Sequence, residues 1–425
     1  MGASGQEDSL TSIEICAGAG GQAVGLEAAG FRHLDLVEID PNAVNTLKVN
    51  VRNWPGWGSR ADALKPSDVK NFCTEEELGE RGLLKYRKKL HLLAGGVPCP
   101  PFSLAGARLG EHDERDLFPD MLRLVDLMKP EAVMIENVRG LLEPPHVFID
   151  YRRKILDELR EIGYNVPCVD RDAPAEVQDK AMRRVWRILE ARDFGVPQLR
   201  PRAILVAFRD GVDDSDTFRW PSRLKEGGRS VADTLDASMR RRYRDYWNLN
   251  RDGVEAKSGE VTGKERYRAW RRKAKEAEAR ADGGVAPTLV GGSRKHGGAD
   301  LGPTRAKAAW RKLGVDANGV ANDPENCVPA RDLFGEHGPM LTADQAALIQ
   351  GFPRTWSFQG LKTAKYRQVG NAFPPPVAEA VGRAIAAVLH PAERDELLKE
   401  YVMDPESLES SSEAVQGRLP GFSPS

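Results

Sequence analysis

Cys99 lies in Gly95-Gly96-Val97-Pro98-Cys99-Pro100-Pro101-Phe102-Ser103, where three prolines hold the backbone near fixed angles and present one thiol in one orientation. Such a thiol is either a nucleophile or an inert cysteine on a rigid turn. Glu136, in Glu136-Asn137-Val138, follows the apolar run Ala132-Val133-Met134-Ile135. A carboxyl at the end of such a run is a general acid, a salt-bridged group or a helix cap. In Gln198-Leu199-Arg200-Pro201-Arg202 two guanidinium groups stand two residues apart on an extended segment, so Arg200 and Arg202 fall on one side. They could clamp a carbonyl or phosphate, or lie exposed at a strand edge. Finally, Ile13-Glu14-Ile15-Cys16-Ala17-Gly18-Ala19-Gly20-Gly21 leaves an apolar run and enters a helical pattern through glycines, which lets backbone approach a ligand closely. Glu38, 20 residues past Gly18, could accept hydrogen bonds from both hydroxyls of a ribose. With Ala23 in the third small position the same residues satisfy a dinucleotide fingerprint, so they do not separate NAD from S-adenosylmethionine.

The elements that must position these groups alternate. Thr11 to Cys16 and Leu34 to Glu38 read as buried strands, each followed by a helical pattern, Gln22 to Ala29 and Pro41 to Val51. His91 to Ala94, Ala132 to Ile135 and Ala203 to Phe208 are further strands, and Pro119 to Met128 and Arg152 to Ile162 are helices. This is the rhythm of a parallel α/β sheet, whose ligands bind at the strands' carboxyl ends, where Cys99 and Glu136 both fall. Past Arg209 the texture turns Arg- and Gly-rich with weak periodicity, and Lys264 to Arg280 reads as a charged surface helix. Helical rhythm returns at Ala343 to Ile349 and Pro376 to Leu389, and a Ser-, Glu-, Gly- and Pro-rich tail from Glu406 is expected to be disordered.

Composition bounds the function. The 425 residues, 40% of them apolar, suffice for a sizeable core. No run approaches the roughly 20 apolar residues of a membrane span, and MGASGQEDSL lacks the regions of a signal peptide. Gln6 stands where a myristoylation signal carries Ser or Thr. A cytoplasmic location is expected. The five cysteines form no CxxC or Cys/His cluster, so neither metal nor disulfide is expected. The net charge is −1, yet Arg219 to Lys312 carries 24 Lys and Arg against 12 Asp and Glu, a segment suited to a polyanion.

Taken in order, these segments resemble the motifs of the cytosine C5 DNA methyltransferase family, bacterial type. The resemblance covers Thr11 to Arg209 and Leu341 to Leu389, including Leu341-Thr342 through Gln350-Gly351-Phe352-Pro353 and Gly370-Asn371. It implies a class I S-adenosylmethionine-dependent methyltransferase fold, α/β with a mostly parallel Rossmann-like sheet, and a smaller, irregular, basic target recognition domain. The implied division is 1–209 and 341–402 for the catalytic domain, 210–340 for target recognition and 403–425 for the tail. By resemblance Cys99 is the nucleophile, Glu136 the acid that holds the base, and Arg200 and Arg202 the arginine pair. Cys16, Ala17, Gly18, Gly20, Glu38, Ile39, Asp62, Ala63, Gly96, Pro98, Leu117, Asn371 and Ala372 would hold S-adenosylmethionine, with Asp62 meeting the adenine amino group. Two positions depart from the family: Cys16 stands where Phe is usual, and Pro100 where Gln is commoner.

The implied reaction is attack of Cys99 on carbon 6 of a cytosine flipped out of double-stranded DNA, then methylation of carbon 5. Arg240, Arg241 and Arg242, with Lys264 to Lys275, are candidate phosphate contacts, the alternative being a solvated helix face. Base-edge readers are expected between Gly283 and Arg305, including Arg294 and Lys295. A monomer is expected, with a restriction endonuclease or other defence protein as a possible partner. Rival readings are the same chemistry on transfer RNA, an NAD-dependent oxidoreductase and an inactive DNA-binding relative.

Overall fold

The computed structural model describes residues 9–98, 116–291 and 299–405. Its strands are β1 (Thr11–Ile15), β2 (Arg32–Val37), β3 (Leu92–Gly95), β4 (Ala132–Val138), β5 (Tyr164–Asn165), β6 (Trp186–Glu190), β7 (Pro201–Arg209), β8 (Pro221–Leu224) and β9 (Tyr401–Met403). The first seven form one sheet in the order β2-β1-β3-β4-β7-β5, with β6 also paired to β7. β2, β1, β3 and β4 run parallel, and β7 is antiparallel to β4, β5 and β6. The central strands are buried on both faces, although β1, Thr-Ser-Ile-Glu-Ile, carries polar residues where β3, Leu-Leu-Ala-Gly, carries none. Alternation sends Ile13, Ile15, Leu93, Val133 and Ile135 into one core, and Leu92, Ala94, Ala132 and Met134 into the other.

Two helices carry the ligand edge. α1 (Gly21–Ala28) leaves β1 directly, and α2 (Pro41–Val51) follows β2, with Pro41 in its first turn and the Asp40 carboxylate accepting from the Asn42 and Ala43 amides. The helix Pro375–Leu389 packs on α1, because glycines leave room for its backbone. A Cβ on Gly21 would collide with the Phe373 carbonyl, and one on Gly25 with that of Pro375.

The basic middle segment is more helical than its weak periodicity suggests, with helices Val231–Arg244, Gly263–Glu278 and Thr304–Lys312. Their apolar faces, including Leu235, Tyr243, Trp270 and Trp310, join one core with Ala17 after β1, Leu36 of β2 and Leu47 of α2. Packing continues across the expected boundary at 210. Phe218 and Trp220 pack into the same core as Ala132 and Ile204, and β8 pairs with β9. β8 and β9 form a separate two-stranded sheet beside that core, and Asp404 pairs with Arg187 of β6.

Candidate active site

The turn after β1 is forced by its backbone angles: Cys16, Gly18 and Gly20 have φ of 51°, 55° and 88°. Glu38 fixes the turn to the next strand. Its Oε2 accepts from the Gly18 amide at 2.7 Å, and its Oε1 from the amides of Ile39 and Asp40 at 2.9 and 2.8 Å. Burial raises the pKa of Glu38, although these three N–H groups oppose the shift. Trp356 closes the turn from behind, donating from Nε1 to the Ala19 carbonyl at 3.0 Å.

Cys16, Ala17, Gly18, Glu38, Ile39, Gly96, Pro98, Leu117, Asn371 and Ala372 line one cavity of about 420 Å³, at the carboxyl ends of β1 and β3 where the strand order reverses. Gly20 does not reach it: it faces Trp356, whose Cζ2 lies 2.7 Å from where a Cβ would stand. Asp62 and Ala63 are also outside. They belong to the 3₁₀ turn Gly58–Ala63, and the exposed Asp62 carboxylate pairs with Arg52. Asp68 and Val69 line the cavity instead, with Gln22, Asn42 and Arg367. Asp68 carried a legible signal, an Asp before the apolar-periodic Val69 and Phe72, whose helix it caps.

Polar atoms in this cavity suit a polar ligand with an amino-acid portion. Glu14 Oε2 and Gln22 Nε2 are buried in its lining and have no hydrogen-bond partner among the described residues. Burial, then the nearby Glu38, pushes the Glu14 pKa well up. Ile39, 62% exposed, offers an apolar surface at the rim. Burial also raises the Cys16 thiol, which makes it a poor nucleophile.

Glu136 stands in the wall of the same cavity. The β4–β7 register pairs Val138 with Arg202 and Glu136 with Ile204, so Glu136 and Arg202 are diagonal neighbours on one face. Their Oε1 and Nε are 2.7 Å apart. Burial raises the Glu136 pKa, with Arg202 and then Arg200 pulling the other way. Next to it, Asn137 Nδ2 donates to the Val97 carbonyl at 2.9 Å, and the Leu117 amide donates to the Pro98 carbonyl at 3.3 Å. Both ends of the stretch that carries Cys99 are thus anchored at the site; Cys99 itself lies outside the described residues, as do Arg294 and Lys295.

Arg200 does not clamp a substrate group beside Arg202. Its terminal nitrogens donate to the carbonyls of Leu289, Gly370 and Ala372. Arg242 is corrected too: it turns inward to the Met340 carbonyl and Gln345 Oε1, whereas Arg240 and Arg241 are exposed. Among the described residues no cluster could hold a metal ion, and no helix is long and apolar enough to cross a membrane.

The profile of the family described as C-5 cytosine-specific DNA methylase matches residues 10–387. The type II methyltransferase M.NaeI of Lentzea aerocolonigenes is 44% identical over 383 residues, covering 90% of this chain and 76% of the relative. M.NgoMIV of Neisseria gonorrhoeae is 38% identical over 384 residues, covering 89% of this chain and 98% of the relative. The crystal structure of the S. pombe Dnmt2 methyltransferase superposes with a TM-score of 0.50 at 18% identity, covering 90% of this chain and 99% of that one, a likeness of fold. On this match and these identities, the chain belongs to the C-5 cytosine-specific DNA methylase family and is a DNA (cytosine-5-)-methyltransferase.

Proposed function

We propose that the chain methylates carbon 5 of a cytosine flipped out of duplex DNA through a covalent bond from Cys99 to carbon 6, with S-adenosylmethionine in the cavity below. The largely buried Glu136–Arg202 pair, with Glu136 in the cavity wall, carries this reading. Carbon 5 is a poor nucleophile until the ring is made electron-rich. Attack of the Cys99 thiolate on carbon 6 does this, provided a proton is held on N3. Glu136 supplies that proton, and its raised pKa favours the protonated state the step needs. Arg202 holds Glu136 with Nε and leaves Nη2 to donate to the base's O2. Loss of the carbon 5 proton after methylation restores the ring double bond and expels Cys99.

S-adenosylmethionine, when bound, supplies an electrophilic methyl group on its sulfonium. Glu38 would take the ribose hydroxyls, Asp68 the adenine amino group in place of Asp62, and Ile39 the adenine face. Glu14 and Gln22 would meet the ammonium and carboxylate of the methionine portion. The segment from about 225 to 340 is proposed as the target recognition region, with Arg240 and Arg241 on phosphates. The type II names of the relatives support a role in restriction-modification; an endonuclease partner, a monomeric state and a cytoplasmic location are part of the same proposal.

The experiment is a trap. Duplex DNA amplified with 5-fluorodeoxycytidine cannot lose the carbon 5 substituent as a proton. In the presence of S-adenosylmethionine, wild type should form a complex that survives denaturing electrophoresis, and Cys99→Ala should not. A stable complex with Cys99→Ala, or none with wild type that methylates ordinary DNA, overturns the covalent route.

A further inference from the structure

Methyl transfer leaves Arg200 without a chemical task, yet it is only 1% exposed. Its Nη1 donates to the Leu289 carbonyl at 2.6 Å, and its Nη2 to the carbonyls of Gly370 and Ala372 at 2.7 and 3.0 Å. All three acceptors are neutral. Burying a guanidinium without a carboxylate in its hydrogen bonds is costly, so the residue must fix something that matters.

It fixes three segments to one another. Gln198, two residues earlier, accepts from the Leu289 amide at 2.7 Å and donates to Gln350 Oε1 at 2.6 Å; Gln350 in turn donates to the Ala372 carbonyl at 2.5 Å. The Leu199 amide donates to the Ala286 carbonyl and the Ala286 amide to the Pro197 carbonyl, each at 2.8 Å. Packing completes the lock. A Cβ on Gly291 would collide with Asn371 Oδ1, and one on Gly370 would fall 2.6 Å from the Gly291 backbone. On one side of the lock, Asn371 and Ala372 line the cofactor cavity. On the other, Arg202 follows Arg200 across a single proline whose φ is fixed.

We propose that Arg200 is a positioning residue through which filling of the cofactor cavity is transmitted to the Ala286–Leu289 segment and to the Glu136–Arg202 pair. The proposal rests on the reading of that cavity as the S-adenosylmethionine site. Ligand at Asn371 and Ala372 steadies the carbonyls that Arg200 grips, and Arg200 in turn steadies Leu289 and the start of β7. The base-holding pair and the target-recognition side are thereby ordered before DNA arrives.

The test is backbone hydrogen exchange with S-adenosylhomocysteine as the probe, on the full chain without DNA. In wild type the probe should slow exchange at Gly18, in the cavity, and by about fivefold or more at Leu199, Ala286 and Leu289, which do not line it. Arg200→Lys keeps the charge but cannot span the Leu289 and Gly370 carbonyls, so Gly18 should stay protected while the remote protection is lost. Gly291→Ala should break the same link with Arg200 intact, and it decides the matter if circular dichroism shows Arg200→Lys unfolded. A purely structural Arg200 would speed exchange generally and leave the probe-dependent difference in place. Remote protection absent from wild type although Gly18 is protected, or surviving in both variants, overturns the coupling. Absence of protection at Gly18 in wild type overturns the cofactor reading first, and the coupling with it.

Discussion

Asn137 Nδ2 donates to the carbonyl of Val97 at 2.9 Å, so the strand that presents Glu136 also holds the base of the stretch that carries Cys99. In the proposed mechanism this single amide ties the strand of the acid to the residue just before the stretch of the nucleophile. Asn137→Ala should cut single-turnover methylation by about two orders of magnitude, a cost typical of a misplaced reacting group, while cofactor affinity changes little. Rapid-quench kinetics beside calorimetric titration with S-adenosylhomocysteine separates the two. A loss confined to cofactor affinity would show that the amide serves the cavity and not the loop.

Asp68, and not Asp62, lines the cavity. A lost hydrogen bond to a charged group is worth about 1.5–3 kcal/mol, so Asp68→Ala should raise the S-adenosylhomocysteine Kd by tenfold or more. Asp62→Ala should stay within about twofold, the effect of an exposed pair. The reverse ranking would restore the assignment expected from the sequence.

For Glu136 the sign of the pH effect follows from burial. Its folded-state pKa is raised above the ordinary carboxyl value, so the protonated form persists to higher pH and is lost as pH climbs through that raised pKa. Single-turnover rates should therefore show a falling alkaline limb that Glu136→Gln removes, at a cost of about two to four orders of magnitude in rate. A limb of unchanged shape in the variant would assign it to another group.

Away from the chemistry, His33 is buried neutral. Its Nε2 donates to the Ala23 carbonyl at 3.0 Å, Ser12 Oγ lies 3.0 Å from Nδ1, and the ring stacks on Trp54. Burial lowers its pKa from 6.5 to about 4. The unfolded chain binds this proton first, so the contribution is fully present above about pH 6.5 and lost as pH falls toward 4. Roughly 3 kcal/mol is involved. Denaturant titrations at several pH values should show that slope in wild type and a shallower one in His33→Gln.

Much of this was legible in the sequence, for reasons that differ by residue. β1 to β4 and their two helices were readable because each strand carries a short apolar core, Ile13 and Ile15 in β1 and Leu34, Leu36 and Val37 in β2, and Pro41 after Asp40 marks a helix start. Glu136 stood out as a carboxyl after the apolar run Ala132 to Ile135. β5 and β6 were missed: the first has two residues, and the second, Trp-Arg-Ile-Leu-Glu, mixes charge into a half-buried edge. The helix Val231–Arg244 hid behind its arginine-rich end, and its buried face shows only in the spacing of Val231, Leu235, Met239 and Tyr243. The side on which a long polar group is used was not readable. Arg200 and Arg202 look alike in the sequence, but one grips backbone carbonyls and the other a carboxylate. Asp62 and Asp68 are likewise separated only by the turn Gly58–Ala63, which carries the first to solvent.

Transfer of labelled methyl groups from S-adenosylmethionine to unmethylated genomic DNA, followed by bisulfite sequencing with wild type and Cys99→Ala and with transfer RNA as a parallel substrate, tests the central claim most directly. The account predicts 5-methylcytosine at one short DNA motif with wild type, and none with the variant or on the RNA. Label on DNA with Cys99→Ala, or label on transfer RNA alone, would contradict it.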